Sequence, residues 1–383
     1  MYDAIVVGAG PAGGMAAREI ARAGFRALVI DKKRVLGEPV QCAEGVSRFG
    51  LESNGIRPRD EWVAQEVSGA TCVLPNGTSF SITDLPGYAI DRPAFDRWLV
   101  AEAADRGAVV RTSTRVTGIT RHGAGWRVVA NGDAFDARTV IASDGPTSGL
   151  ARTLGLFRRQ ETIRAYEFRF RRDEVEVPDP HRFYLYVGRR YDGGYAWVFP
   201  RGEHVNVGAG GHIDAFAAAS SFCWERGYDP ARRIQSIAGT IPYRYELSTY
   251  ALPGFAVSGD AAGVTNPMNG AGIHPGLFSG RLAAESAIRS LESGDPGAMA
   301  AYDRALRASP FLDPILFWMI ERVRTWSDRI LNDVGDELHG LSWRDITLRR
   351  VASAALRKPH LILRAAEFNR TLRALELCEH FGW

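Results

Sequence analysis

Tyr2-Asp3-Ala4-Ile5-Val6-Val7-Gly8-Ala9-Gly10-Pro11-Ala12-Gly13-Gly14 opens the chain, and its reading decides the fold. Tyr2 to Val7 reads as a strand, Gly8 to Gly14 as a Gly-rich turn, Met15 to Ala23 as a helix and Arg26 to Ile30 as a second strand. Gly8, Gly10 and Gly13 fit G-x-G-x-x-G at the strand-to-helix junction. Bare backbone there lets a pyrophosphate come close, and the helix N-terminus faces its charge. Asp31 closes the second strand 18 residues after Gly13, the spacing at which a carboxylate grips a ribose hydroxyl. The pattern predicts a βαβ unit that binds a dinucleotide. No second G-x-G-x-x-G occurs, which points to a single bound dinucleotide.

A chain of 383 residues is long enough for a cofactor domain and a substrate domain. With 45% hydrophobic and 24% charged residues it has a globular composition, and no apolar run is long enough to span a bilayer. The N-terminus lacks the basic start and small-residue cleavage site of a secretory signal, so a cytoplasmic address is expected. Cys42, Cys72, Cys223 and Cys378 are scattered, which argues against a zinc site or a disulfide framework. A net charge of +3 without a basic patch interleaved with aromatics gives no reason to expect nucleic acid.

Further along, apolar runs at Thr139–Ala142 and Phe255–Val257 end at Asp144-Gly145 and Gly259-Asp260, the latter followed by a Gly-rich stretch and a helix over Leu277–Leu291. Residues 61–90 and 158–250 alternate aromatic and β-branched residues between turns such as Pro75-Asn76-Gly77, which predicts antiparallel sheet. The expected organisation is a discontinuous cofactor domain (1–60, 88–157, 251–297), an antiparallel-sheet substrate domain (61–87, 158–250) and a helical C-terminal region (298–383). The fold class is α/β.

Residues 255–273, Phe-Ala-Val-Ser-Gly-Asp-Ala-Ala-Gly-Val-Thr-Asn-Pro-Met-Asn-Gly-Ala-Gly-Ile, resemble the second flavin fingerprint of the aromatic-hydroxylase-like flavoproteins. The resemblance implies FAD, with Asp260 on the ribityl chain and the Gly-rich turn opening a helix toward the isoalloxazine. Ala142-Ser143-Asp144-Gly145-Pro146 resembles the Asp-Gly fingerprint near the pyrophosphate, and Arg92 in Asp91-Arg92-Pro93 matches the arginine that reaches the cofactor. Together the motifs and the resemblance place FAD against Gly8, Gly10, Ala12, Gly13, Asp31, Lys32, Cys42, Ala43, Arg92, Val116, Asp144, Gly145, Asp260, Gly270, Gly272 and Ile273.

Pro39-Val40-Gln41-Cys42-Ala43-Glu44-Gly45 resembles the P-x-x-C-A-E-G segment of the geranylgeranyl reductase family, and Tyr195-Ala196-Trp197-Val198-Phe199-Pro200 with Gly208-Ala209-Gly210 resembles its Y-x-W-x-F-P…G-x-G strand. The signatures run in order through about residues 1–300. Within the family the resemblance is to the archaeal digeranylgeranylglycerophospholipid reductase branch in particular. It implies hydrogenation of isolated carbon–carbon double bonds in an isoprenoid lipid, with electrons from an external donor, a nicotinamide or a ferredoxin. An unactivated alkene takes hydride poorly, so it must be held in a dry apolar channel with an acid in reach. Cys42 is the candidate acid and Glu44 the second. Tyr195, Trp197, Phe199 and Pro200 would line the substrate channel. The sequence departs from the family at Asp31, where Glu is frequent, and at Ala271, where several members carry Glu or Gly.

From Arg344 to Arg373 eight Lys or Arg face Asp345 and Glu367 in a region with apolar residues at helical spacing. Together with the apolar run Phe311–Met319 this suggests either an interfacial surface for anionic headgroups, giving peripheral membrane contact, or a helical cap on the protein's own body or on a second subunit, and the cap is the commoner arrangement. The sequence leaves the oligomeric state open. Two rivals share the flavin motifs. A monooxygenase or halogenase has no use for Cys-Ala-Glu-Gly beside the flavin, and halogenases set a lysine between flavin and substrate, whereas the only lysines are Lys32, Lys33 and Lys358. An electron carrier to a quinone often adds an iron–sulfur cluster, for which the cysteine spacing is wrong.

Overall fold

The computed structural model describes residues 1–345, 353, 356–358 and 365–381. Its first layer is a sheet whose main path runs Ala251–Leu252, Phe255–Val257, Asp133–Ala142, Tyr2–Val7, Ala27–Ile30, Val109–Arg111. From Phe255–Val257 to Val109–Arg111 every pairing is parallel. The central strands are buried on both faces, which is why Ala4–Val7 and Ala27–Ile30 are continuously apolar. A hairpin, Val116–His122 and Gly125–Ala130, pairs antiparallel with the start of Asp133–Ala142 and had no counterpart among the elements expected from sequence.

The first helix spans Pro11–Arg22 and starts inside the Gly-rich motif, four residues before the expected Met15. Pro11 sits in its first turn, where a missing N–H costs nothing and the fixed φ suits a helix. Helix Ile273–Ser293 crosses it so closely that a Cβ on Gly280 would lie 2.1 Å from the Ala12 carbonyl oxygen.

The second layer is a sheet in the order Gln235–Leu247, Phe157–Arg171, His204–Gly211, Tyr195–Arg201, Arg182–Val187, Gly69–Val73, Ser79–Thr83. It is antiparallel as expected except at one junction, where Arg182–Val187 runs parallel to Gly69–Val73; these segments are too far apart in sequence for a hairpin to set their direction. Val63–Val67 does not join this sheet but pairs with Gly87–Ile90, which also pairs with Gly45–Ser47. Period-two alternation divides the large sheet. Phe168, Phe170, Tyr184, Ala196, Val198, Val205 and Val207 pack with Phe222 and Cys223 of helix Ala215–Glu225, and the opposite face looks into a cleft against the first layer.

The C-terminal region is helical over Ala300–Arg307, Pro314–Val323, Asp328–Leu338 and Ala365–Phe381. Phe311, Leu316 and Met319 are buried, so the apolar run serves the core. Arg322 pairs with Glu367 at 3.3 Å and Arg373 with Asp313 at 3.3 Å, which ties the last helix to the body. Much of the basic stretch expected as an amphipathic surface, including Leu348 to Arg350, lies outside the described residues. Among the described residues no helix is long and apolar enough to cross a membrane.

Candidate active site

Strand register assembles the first half of the site. Val7 is paired with Ile30 on one side and Ala142 on the other, and Ala142 with Val257. All four strands therefore end at one level, and Gly8, Asp31, Ser143-Asp144 and Gly259-Asp260 leave the same edge of the sheet. This is the carboxyl edge of a parallel sheet at the point where strand order reverses, the place such sheets bind ligands. A cleft of about 610 Å³ runs along it. Of the residues expected at the cofactor, all but Gly13 line it.

Gly13 serves the turn itself. A Cβ there would lie 1.8 Å from the Gly8 carbonyl oxygen, so the bare backbone is what lets the motif pack. Gly10 is the opposite case, since a Cβ on it would meet nothing within 4 Å and would project into the cleft. Asp31 braces this turn, accepting from Ala9 N at 2.8 Å and from Lys33 N at 2.7 Å, and still borders the cleft. A bare helix N-terminus, an open position at Gly10 and a carboxylate at the second strand's end fit the pyrophosphate and ribose of a dinucleotide. Asp144 accepts from Ser148 Oγ at 2.9 Å and Leu150 N at 3.0 Å; it caps the short helix Gly149–Thr153 and so shapes the loop in which Gly145 faces the cleft. Asp260 accepts from Thr265 Oγ1 at 2.8 Å, and burial pushes its pKa up.

The loop before Gly45–Ser47 brings the candidate acids together with Arg92. Cys42 Sγ accepts from Glu44 N at 3.2 Å, and the Arg92 guanidinium is beside it. Burial pushes the thiol's pKa up, opposed by Arg92 and by the Glu44 N–H. Asp96, one helical turn along Arg92–Ala104, holds that guanidinium at 3.1 Å. Cys42 thus stands as a thiol next to a fixed cation.

Glu44 is fully buried in left-handed backbone (φ 69°) and is committed elsewhere. Its Oε1 accepts from Arg92 N at 3.1 Å; Oε2 accepts from Arg169 and from Asn206 Nδ2 at 3.2 Å and lies 2.9 Å from Arg201 Nε. This geometry commits the Glu44 carboxylate, the second candidate acid, to Arg169 and Arg201, the latter also 3.0 Å from Asp91, which weighs against its serving as the acid. Glu44→Ala is expected to destabilise the fold by about 3–5 kcal/mol, since it leaves the buried Arg169 without its carboxylate partner. Chemical denaturation checks this, and a loss below about 1 kcal/mol would show that solvent or neighbours replace the carboxylate.

The sheet supplies the other wall. Tyr195, Trp197 and Phe199 all line the cleft, whereas Pro200, the next residue of the motif, does not: period two turns it to the other face. Tyr195 Oη donates to the Asn269 carbonyl, tying this strand to the Gly-rich turn. Trp197 lies across Gly208, where a Cβ would come within 2.3 Å of the indole, which gives the glycine of the G-x-G pair a steric reason. Phe183 stacks on Phe199 with centroids 4.1 Å apart, and Leu185, Ile237 and Ile241 extend the apolar surface. Trp197 Nε1 donates to Glu167 Oε2 at 2.7 Å. Sequence reasoning missed Glu167, Arg169, Arg201, Asn206 and Asp96. The one available signal was the alternation Glu167, Arg169 against Phe168, Phe170, which reads equally well as a solvent-facing strand edge.

Comparison with known proteins agrees with this geometry. A model described as FAD dependent oxidoreductase matches residues 41–241, and one described as FAD binding domain matches residues 3–71. The digeranylgeranylglycerophospholipid reductase of Picrophilus torridus is 31% identical over 94% of this chain and 97% of its own length. That of Methanoculleus marisnigri is 32% identical over 97% and 99%. A crystal structure of a geranylgeranyl bacteriochlorophyll reductase-like protein from Thermoplasma acidophilum superposes with a TM-score of 0.84 at 28% identity, covering 96% of this chain and 98% of that one. The halogenase PltM, solved with FAD, reaches 0.69 at 15% identity over 88% and 79%, a likeness of fold alone. Cofactor cradle, Cys-Ala-Glu-Gly loop, aromatic strand and full-length relatives agree: the chain is an FAD-dependent oxidoreductase and belongs to the geranylgeranyl reductase family.

Proposed function

We propose that this enzyme hydrogenates isolated carbon–carbon double bonds of a geranylgeranyl or related polyprenyl lipid. The observation that carries the reading is a cleft with a dinucleotide cradle on one wall, the apolar surface of Phe183, Leu185, Trp197, Phe199, Ile237 and Ile241 on the other, and a protonated thiol at Cys42 opening into it. Bound FAD, once reduced, supplies the hydride. The apolar wall holds the prenyl chain and excludes water. Cys42 Sγ gives a proton to the second alkene carbon, and the Arg92 cation steadies the thiolate left behind. With one dinucleotide motif in the chain, reducing equivalents come from a separate nicotinamide or ferredoxin. A halogenase reading has no support from the sheet wall, where no lysine lies: Lys32 and Lys33 follow Asp31 at the other side of the cleft, and Lys358 is 2.8 Å from Asp333.

The deciding assay is anaerobic. Chemically reduced enzyme is offered geranylgeranyl diphosphate and digeranylgeranyl glycerophospholipid, and the products are weighed by mass spectrometry. Gain of hydrogen pairs is expected; an added oxygen atom, or no change in any isoprenoid, would sink the reading.

A further inference from the structure

Glu167 lies on the cleft face of strand Phe157–Arg171 and is 2% exposed. Its Oε2 is anchored by Trp197, while Oε1, also buried, has no hydrogen-bond partner among the described residues. The charged groups around it are Arg169 on its own strand, Arg201 on strand Tyr195–Arg201 and Glu44 from the loop. Both arginines are bonded to Glu44, and neither forms an ion pair with Glu167 among the described residues. Burial raises its pKa to about 8, with Trp197 and the arginines opposing and Glu44 reinforcing the rise. Glu167 therefore enters neutral pH as a carboxylic acid with one oxygen bare. Packing does not explain such a group, for an amide would serve Trp197 equally.

Resting on the reaction read above, we propose that Glu167 is the proton reserve of the cleft, the group that returns a proton to Cys42 Sγ after the thiol has given its own to the lipid. In the transfer the Cys42 S–H bond breaks as a C–H bond forms on one alkene carbon, while hydride from reduced flavin joins its neighbour. The proton on Glu167 Oε1 then passes to the thiolate through water in the cleft that both groups line, and solvent entering that cleft recharges Glu167. The external nicotinamide or ferredoxin restores the flavin's two electrons. The direction is downhill, because burial makes the thiol hold its proton more tightly than an ordinary cysteine while Glu167 releases its own at about 8. A reserve matters because a polyprenyl chain carries several double bonds and, while bound, keeps bulk water from the thiol.

Glu167→Gln tests this, since it keeps the size and the acceptor for Trp197. In the FAD-loaded wild type, infrared spectroscopy should show the carbonyl stretch of a protonated carboxyl at neutral pH, lost with a midpoint of about 8 and missing in the variant. The folded state keeps this proton where the unfolded chain, at the ordinary glutamate value of 4.5, has lost it. Wild-type stability should therefore fall relative to the variant as pH rises between these values. In rapid mixing of pre-reduced enzyme with lipid and an excess of chemical reductant, Glu167→Gln should slow the later double bonds about 100-fold relative to the first. Absence of the infrared band, later turnovers at wild-type rate, or a first turnover slowed as much as the rest each overturn the reserve. A wild-type enzyme that shows the band but reduces no isoprenoid overturns the reaction and the transfer to Cys42 together. Reduction without the band overturns the reserve alone.

Discussion

Gly10→Val is expected to give a folded protein without flavin. At this position the side chain meets no protein atom, since a Cβ finds nothing within 4 Å, so the fold has no reason to fail. The space it enters is that between the helix N-terminus and the ends of the parallel strands, where the pyrophosphate must approach bare backbone. The neighbouring motif glycines make the control. Gly13→Val would drive a Cβ to 1.8 Å from the Gly8 carbonyl and Gly8→Val to 2.1 Å from the Ser143 carbonyl, so both should lose the fold along with the flavin. Absorbance near the flavin bands and circular dichroism, read together, separate the cases. A yellow Gly10→Val protein with about one FAD per chain would show that the dinucleotide lies elsewhere.

How much of the fold and site is legible in the sequence follows the range of the interactions involved. The βαβ unit is readable because strand, turn, helix and the Asp31 spacing are local and each has its own residue chemistry. The cleft-facing set Tyr195, Trp197, Phe199 follows from period two, and the same period excludes Pro200. Helix Pro11–Arg22 begins earlier than expected because the Gly-rich motif is itself its first turn. Nothing local joins Glu44 to Arg169, which is 125 residues away, and the pair arises only when the large sheet docks on the loop. Arg169 and Glu167 alternate with buried phenylalanines just as solvent-facing residues would, so the sequence gives no sign of their burial. Cys42 is legible only through the family pattern. Its position beside Arg92, itself held by Asp96 one turn on, is a product of tertiary packing.

That position makes Cys42→Ala the most informative change at the reacting centre. The variant is expected to keep FAD and lose about 100- to 10,000-fold in alkene reduction, the usual cost of removing a positioned proton donor. Flavin retention follows because the side chain contributes little structurally: its sulfur, a weak acceptor, takes the Glu44 N–H. Reduction of the flavin by its donor should be unchanged, so the loss belongs to the step that consumes hydride. Burial raises the thiol's pKa, which sets the sign of the pH dependence. The protonated form does the work, so single-turnover rates should hold through neutral pH and fall on the alkaline side, above the ordinary thiol range. Cys42→Ser keeps the size and an O–H but holds its proton far more tightly. It should be slow and show no alkaline fall in the accessible range, which separates acidity from packing. Wild-type turnover by Cys42→Ala with normal flavin content would make the cysteine a piece of wall, and the proton would then have to come straight from Glu167 or from water.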